Sequence, residues 1–121
     1  MARPRSTRLE SGKVVAGEAN AEALFHCQQA AEKTLKGYLT SHDKPFKKTH
    51  DLDELSRPCL EVDSTLRGVV QPAIPLTVFA WEFRYPGDTL VPSMTEARGA
   101  LSIAEALYRA VLQRLSQPCH P

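Results

Sequence analysis

Cysteine is scarce in this chain, and so is any excess of charge. Cys27, Cys59 and Cys119 are too few and too scattered for a disulfide framework, and no two form the C-x-x-C pair of zinc or redox sites. They read as reduced thiols of a cytoplasmic protein. Fifteen Lys and Arg against fourteen Asp and Glu leave a formal charge of +1, so no global basic field attracts nucleic acid, and an anion site has to be a local cluster of side chains. Long apolar runs are missing as well. The longest stretch without a charge, Gly68 to Trp81, has 14 residues and two prolines, too short to cross a bilayer. The basic start from Met1 to Lys13 is followed by no apolar segment of the secretory kind. Sustained strand alternation, internal repeats and low-complexity tracts are absent. So are a Gly-rich phosphate loop, a G-x-S-x-G elbow, an H-E-x-x-H pair and a carboxylate cluster for paired magnesium ions. The common enzyme classes drop out, and neither a metal nor a cofactor is expected.

What is present is ordinary globular composition, with 42% hydrophobic and 24% charged residues in a chain of 121, enough for one domain with one core. Residues 1–17, with Arg3, Arg5, Arg8 and Lys13 against one acid and with Pro4, Gly12 and Gly17 as interruptions, read as a flexible or weakly helical basic arm. The helical domain is expected over 18–117 and a short tail over 118–121. From Glu18 to about Ser41, Leu24, Cys27, Ala31, Leu35 and Tyr38 recur at helical spacing, and Pro45 marks the loop that follows. Thr49 is a candidate N-cap for a short second helix with Asp51, Asp53 and Glu54 in its first turn and Leu52, Leu55 and Cys59 inside. Pro58 is expected to kink or end it. After Pro75, Leu76, Phe79, Ala80 and Phe83 restore a helical period until Arg84-Tyr85-Pro86-Gly87-Asp88 makes a turn. Ser93-Met94-Thr95-Glu96 is a capping box, and behind it Ala97, Leu101, Ala104, Tyr108, Val111 and Leu115 form a stripe that ends before Pro118. The pattern predicts an all-α, up-and-down bundle of four or five helices with Trp81 and the two strong stripes in its core.

Three places carry candidate chemistry. His26, Gln29, Lys33 and Lys36 share one helix face, which is either a solvated surface or a binding surface; Glu32 and Lys36 also form an i, i+4 pair. His50 and Asp51 open the second helix, whose unpaired N–H groups suit a phosphate; otherwise His50 is an exposed start-of-helix residue. Arg84 and Tyr85 stand at a rigid Pro-Gly turn, where a guanidinium can fork onto phosphate and a ring can stack on a base. The alternative pairs Arg84 with Glu82 or Asp88 and packs Tyr85 on the bundle end.

In order and spacing, Phe25-His26-Cys27-Gln28-Gln29-Ala30-Ala31-Glu32-Lys33 with Leu35-Lys36, then His50-Asp51-Leu52, then Arg84-Tyr85-Pro86, resemble the HEPN-domain family over roughly Ala21 to Leu115. The resemblance implies an up-and-down helical bundle, a homodimer, a minimal nucleotidyltransferase as partner, and nucleotide or RNA binding without catalysis. It implies binding roles for His26, Gln29, Lys33, Lys36, His50, Arg84 and Tyr85, and structural roles for Gln28, Glu32, Asp51 and Asp88. A different implied reading is an interaction subunit of a toxin–antitoxin or stress system that binds no nucleotide. A third is the family's metal-independent ribonuclease, with an arginine four to six residues before a histidine. Only Arg114 and His120 fit that count, with Leu115 in place of the usual polar residue and Pro118 between them. Two further departures are the full front helix, replaced here by the basic arm, and the aromatic pair before R-Y-P, replaced by Phe79 and Ala80. The front either folds as an imperfect helix or is covered by a dimer partner.

Overall fold

In the computed structural model the described residues are 5–80 and 93–116, with side chains of the first helix described from Ala19 onward. They form four α-helices, α1 (Arg5–Ser41), α2 (Leu52–Val62), α3 (Arg67–Val70) and α4 (Met94–Ser116), with 3-10 segments at Ser64–Leu66 and Gln71–Ala80 and no strand among them. The fold is an all-α helical bundle. α1 packs along α4 and also carries α2 and the Gln71–Ala80 segment. Its stripe holds as the periodicity requires, with Leu24, Cys27, Ala31, Leu35 and Tyr38 all buried. Leu52, Leu55 and Cys59 close the core from α2, and Leu66, Val70, Ala73 and Leu76 from the segment after it.

The basic front is not separate from this helix. Residues 5–17 continue α1 without a break, so of the two alternatives for the front it is the helix that forms. Gly12 and Gly17 each weaken a helix by about 1 kcal/mol relative to alanine, but the surrounding Arg, Leu, Glu, Lys and Ala favour it. At 37 residues, α1 spans about 55 Å at 1.5 Å per residue.

α1 ends in a Schellman motif. The Lys44 amide donates to the Leu39 carbonyl at 2.9 Å and the Asp43 amide to the Thr40 carbonyl at 3.1 Å, while Asp43 takes the left-handed conformation at φ 55°. Asp is one of the few non-glycine residues that tolerates that region. The turn sends Pro45 to Thr49 across the bundle end toward α2.

α2 starts two residues later than its sequence suggests. Asp51, not Thr49, is the N-cap, its carboxylate accepting from the Asp53 amide at 2.9 Å, and the Thr49 hydroxyl accepts from the Asp51 amide at 3.0 Å. Nor does Pro58 end the helix, which runs on to Val62. The bond its missing N–H would have made belongs to the carbonyl of Glu54, an exposed residue, where solvent can satisfy the freed acceptor.

Two further expectations change. The stretch after Pro75 is 3-10 and begins at Gln71. Pro72 and Pro75 each remove an α-type donor, and the tighter winding extends beyond the three or four residues that such helices usually reach. In α4 the capping box forms as read, Glu96 N–H to Ser93 Oγ at 3.0 Å and Ser93 N–H to Glu96 Oε1 at 3.2 Å, but the inward stripe is Ala97, Ala100, Ala104, Leu107 and Val111. Leu101, Tyr108 and Leu115, expected inside, are exposed together with Met94 and Leu112. The packed face combines the small Ala97, Ala100 and Ala104, which suit close helix packing, with Leu107 and Val111, and turning it inward puts Leu101, Tyr108 and Leu115 outward. Trp81 and Phe83 lie outside the described residues.

Candidate functional site

The buried carboxylate of Glu32 organises the polar face of α1. Its side chain is only 8% exposed, so its charge has to be answered by donors. Gln28 Nε2 donates to Oε1 at 3.1 Å, His50 Nδ1 meets the same oxygen at 2.7 Å, and Lys36 Nζ donates to Oε2 at 2.8 Å. Helix geometry supplies two of the three partners, because residues 28, 32 and 36 are successive i, i+4 neighbours. The third comes from the start of α2. Gln28, itself fully buried, also donates to the His50 carbonyl at 3.0 Å, so one amide fixes both the carboxylate and the backbone that carries the imidazole. Its own oxygen accepts from Gln29 Nε2 at 2.8 Å. The Leu52 amide donates to Thr77 Oγ1 at 3.0 Å, which ties the start of α2 to the 3-10 segment as well.

Burial pushes the Glu32 carboxyl up, but the bonds from Lys36, His50 and Gln28 and the Lys36 charge outweigh it and hold the group below its ordinary value of 4.5. Glu32 is therefore ionised at neutral pH, and an ionised carboxylate only accepts. His50 Nδ1 therefore donates to it, which fixes the orientation of the ring. The imidazole is 59% exposed. A carboxylate that orients a solvent-facing imidazole beside an ammonium can bind an anion or move a proton.

Among the sequence candidates, the structure brings together Gln28, Gln29, Glu32, Lys36 and His50. Gln28 and Glu32 hold the cluster from within. Asp51 is the α2 N-cap. Lys33 and His26 remain on the exposed part of the same α1 face, with the His26 ring edge-on to Phe25 at 5.7 Å between centroids. Arg84, Tyr85 and Asp88 lie outside the described residues. Residues that the motif reading passed over stand beside the cluster: Lys44, Lys47 and Lys48, all exposed, occupy the loop ahead of His50, and Lys36 Nζ lies 5.9 Å from the centre of the Phe46 ring. The run Lys44-Pro45-Phe46-Lys47-Lys48 carries that signal in the sequence, as cations interleaved with an aromatic.

Arg114 has a different position. Its Nε donates to Asp63 Oδ2 at 2.8 Å, Nη1 to the Ala110 carbonyl at 2.8 Å and Nη2 to Thr65 Oγ1 at 2.9 Å. Nε and Nη2 clamp the end of α4 to the turn after α2, while Nη1 bonds back within α4 itself. His120 lies outside the described residues. The two described thiols are inert: burial pushes Cys59 up to about 12, and burial with the charge of Glu105 pushes Cys27 up. Among the described residues no group of three His, Cys, Asp or Glu side chains could hold a metal ion, and no helix is long and apolar enough to cross a membrane.

The HEPN domain model matches residues 10–115, nearly the whole chain. The chain belongs to the HEPN domain family. The match begins inside the front half of α1 and ends at the last turn of α4, so it takes in both the Glu32 cluster and the Arg114 clamp. It supports a nucleotide- or RNA-related function. No curated protein and no solved structure matches the chain.

Proposed function

We propose that this HEPN protein binds a nucleotide or RNA without catalysis, as the partner of a minimal nucleotidyltransferase. The observation that carries the reading is the Glu32 cluster, in which one buried carboxylate holds Lys36 and His50 at 2.8 and 2.7 Å and so preorganises a basic surface from two helices. Phosphate oxygens are met there by Lys36, His50 and the exposed Lys33, with Gln29 and His26 along the same face. The family resemblance assigns Arg84 and Tyr85 to the same binding role, and both lie outside the described residues. The engagement of all three Arg114 nitrogens in internal bonds, two of them to Asp63 and Thr65, supports a role without strand cleavage. Calorimetric titration with ATP, GTP and a short single-stranded RNA at low salt tests the reading. Saturable, salt-sensitive binding is expected, and the double variant Lys33→Ala/Arg84→Ala should abolish it while circular dichroism stays helical. Full affinity in that variant would remove the site assignment.

A specific observation also favours a protein-binding role for another part of the chain. The outer face of α4 carries Met94, Leu101, Tyr108, Leu112 and Leu115, all exposed, a run of large apolar groups that commonly marks an interface. A homodimer built on this face is the simplest assembly, because a two-fold axis pairs the stripe with itself. Sedimentation should then show a dimer that Leu101→Glu/Tyr108→Glu converts to a monomer; a wild-type monomer would remove the assignment. If the face instead docks a toxin–antitoxin or stress-system partner, free nucleotide will not compete for it.

A further inference from the structure

Next to the Glu32 cluster, the loop from Pro45 to Thr49 and the outer side of α2 enclose an open groove of about 310 Å³, at the lower edge of the roughly 300–1,000 Å³ of small-molecule sites. Its walls are apolar: Pro45 and Phe46 from the loop, Leu55 and Pro58 from α2. Lys47, Arg57 and Glu54 stand at its polar margin. Arg57 is turned along α2 by Asp53 at 2.9 Å, so Lys47 and the neighbouring Lys48 are the cations on the loop side. The aromatic wall belongs to both features. Lys36, which bonds Glu32, lies 5.9 Å from the Phe46 centroid, so the ring that walls the groove also stands beside the cluster's ammonium.

We infer that this groove seats the nucleobase of the nucleotide or RNA whose phosphates lie on the Lys36, His50 and Lys47 side. The inference rests on the anion-binding reading above and adds a place for the base. A flat ring with apolar faces fits between Phe46 and the Leu55–Pro58 surface, and stacking on an exposed aromatic beside lysines is how single strands are held without sequence readout. A polyphosphate alone gains nothing from four apolar walls. A purely apolar peptide is disfavoured by the charged Lys47, Arg57 and Glu54 in the lining. Glu54 would repel phosphate, which puts the backbone on the loop side with Lys47, and it offers an acceptor to an exocyclic amine such as that of adenine.

The test compares inorganic tripolyphosphate, ATP and oligoadenylate by calorimetry on the full chain, with Phe46→Ala and Phe46→Tyr beside the wild type. Both changes are at an exposed loop residue, and circular dichroism checks the fold. The expected result is that wild type binds ATP more tightly than tripolyphosphate. Phe46→Ala weakens ATP and oligoadenylate about tenfold and leaves tripolyphosphate within about twofold, while Phe46→Tyr, which keeps the ring, binds ATP as wild type does. Equal affinity for ATP and tripolyphosphate, or equal loss of both in Phe46→Ala, would overturn the base site and leave the anion site standing. Binding of none of the three probes would overturn both.

Discussion

Glu32 and Asp63 each bond a nitrogen-bearing side chain from a distant part of the chain, His50 and Arg114, yet they leave different surfaces behind. At Asp63 the cation is consumed. Arg114 comes from 51 residues away and divides its guanidinium among a carboxylate, a carbonyl and a hydroxyl, while Asp63 also accepts from the Thr65 amide to start the 3-10 turn. At Glu32 the acid is the buried partner and the base is the displayed one, with the carboxylate 8% and the imidazole 59% exposed. An ion pair whose cation is enclosed by internal acceptors serves to join helices. A buried acid that holds a mostly exposed imidazole in a fixed position serves to present it.

The largest effect that can break this comparison is at Glu32. We predict that Glu32→Ala lowers unfolding stability in urea by about 2–3 kcal/mol, the scale for losing a buried acceptor of charged donors. It should also loosen anion binding, because Lys36 and His50 lose their common anchor. The pH dependence follows from the lowered carboxyl. A depressed folded value contributes stability that is present above the ordinary value of 4.5 and is lost as pH falls through the folded one. Wild type should therefore lose more stability than Glu32→Ala on acidification from about pH 5 to pH 3. Parallel curves would mean that the carboxylate is not held as described.

The clamp gives the next effect. Bonds from Thr65 and Arg114 hold Asp63 below its ordinary value, and both partners are about one quarter exposed, so solvent discounts the pair. We predict that Arg114→Ala costs about 1–2 kcal/mol, raises the folded Asp63 value toward normal in a carboxyl-detected NMR titration, and leaves nucleotide affinity unchanged. Weaker nucleotide binding in a folded Arg114→Ala protein would erase the distinction between clamp and site.

The sequence carried some of this and could not carry the rest, for physical reasons. The α1 stripe was legible because large and small apolar residues fall on one face from Leu24 to Tyr38, about four turns. The α4 stripe was not, since two faces of that helix both repeat at three and four residues, and only packing distance chooses the alanines. Local chemistry was equally unequal: the Ser93–Glu96 box is a four-residue pattern and forms as read, whereas Thr49 and Asp51 are both competent caps and the winner depends on where α2 meets Thr77. Propensity could not settle the front of α1 either, because Gly12 and Gly17 weaken a helix without forbidding it. At the site, the motif residues were visible as a set, but their division of labour was not. That Gln28 and Glu32 lie inside and His50 outside depends on an 18-residue closure between α1 and α2, and the loop lysines drew no attention because they share no helix period.

The smallest expected change in stability sharpens the comparison most. His50 is mostly exposed, and its removal leaves Glu32 with Lys36 and Gln28 as donors, so the buried charge stays answered. We predict that His50→Ala lowers stability by less than about 1 kcal/mol, yet weakens ATP binding roughly tenfold, as expected for one lost contact to a charged oxygen. Arg114→Ala should show the reverse, with more stability lost and affinity kept. Chemical denaturation and calorimetry on the same two proteins place each on both axes. A His50→Ala protein that loses as much stability as Glu32→Ala, with nucleotide affinity intact, would make the Glu32 cluster a second clamp and not a site.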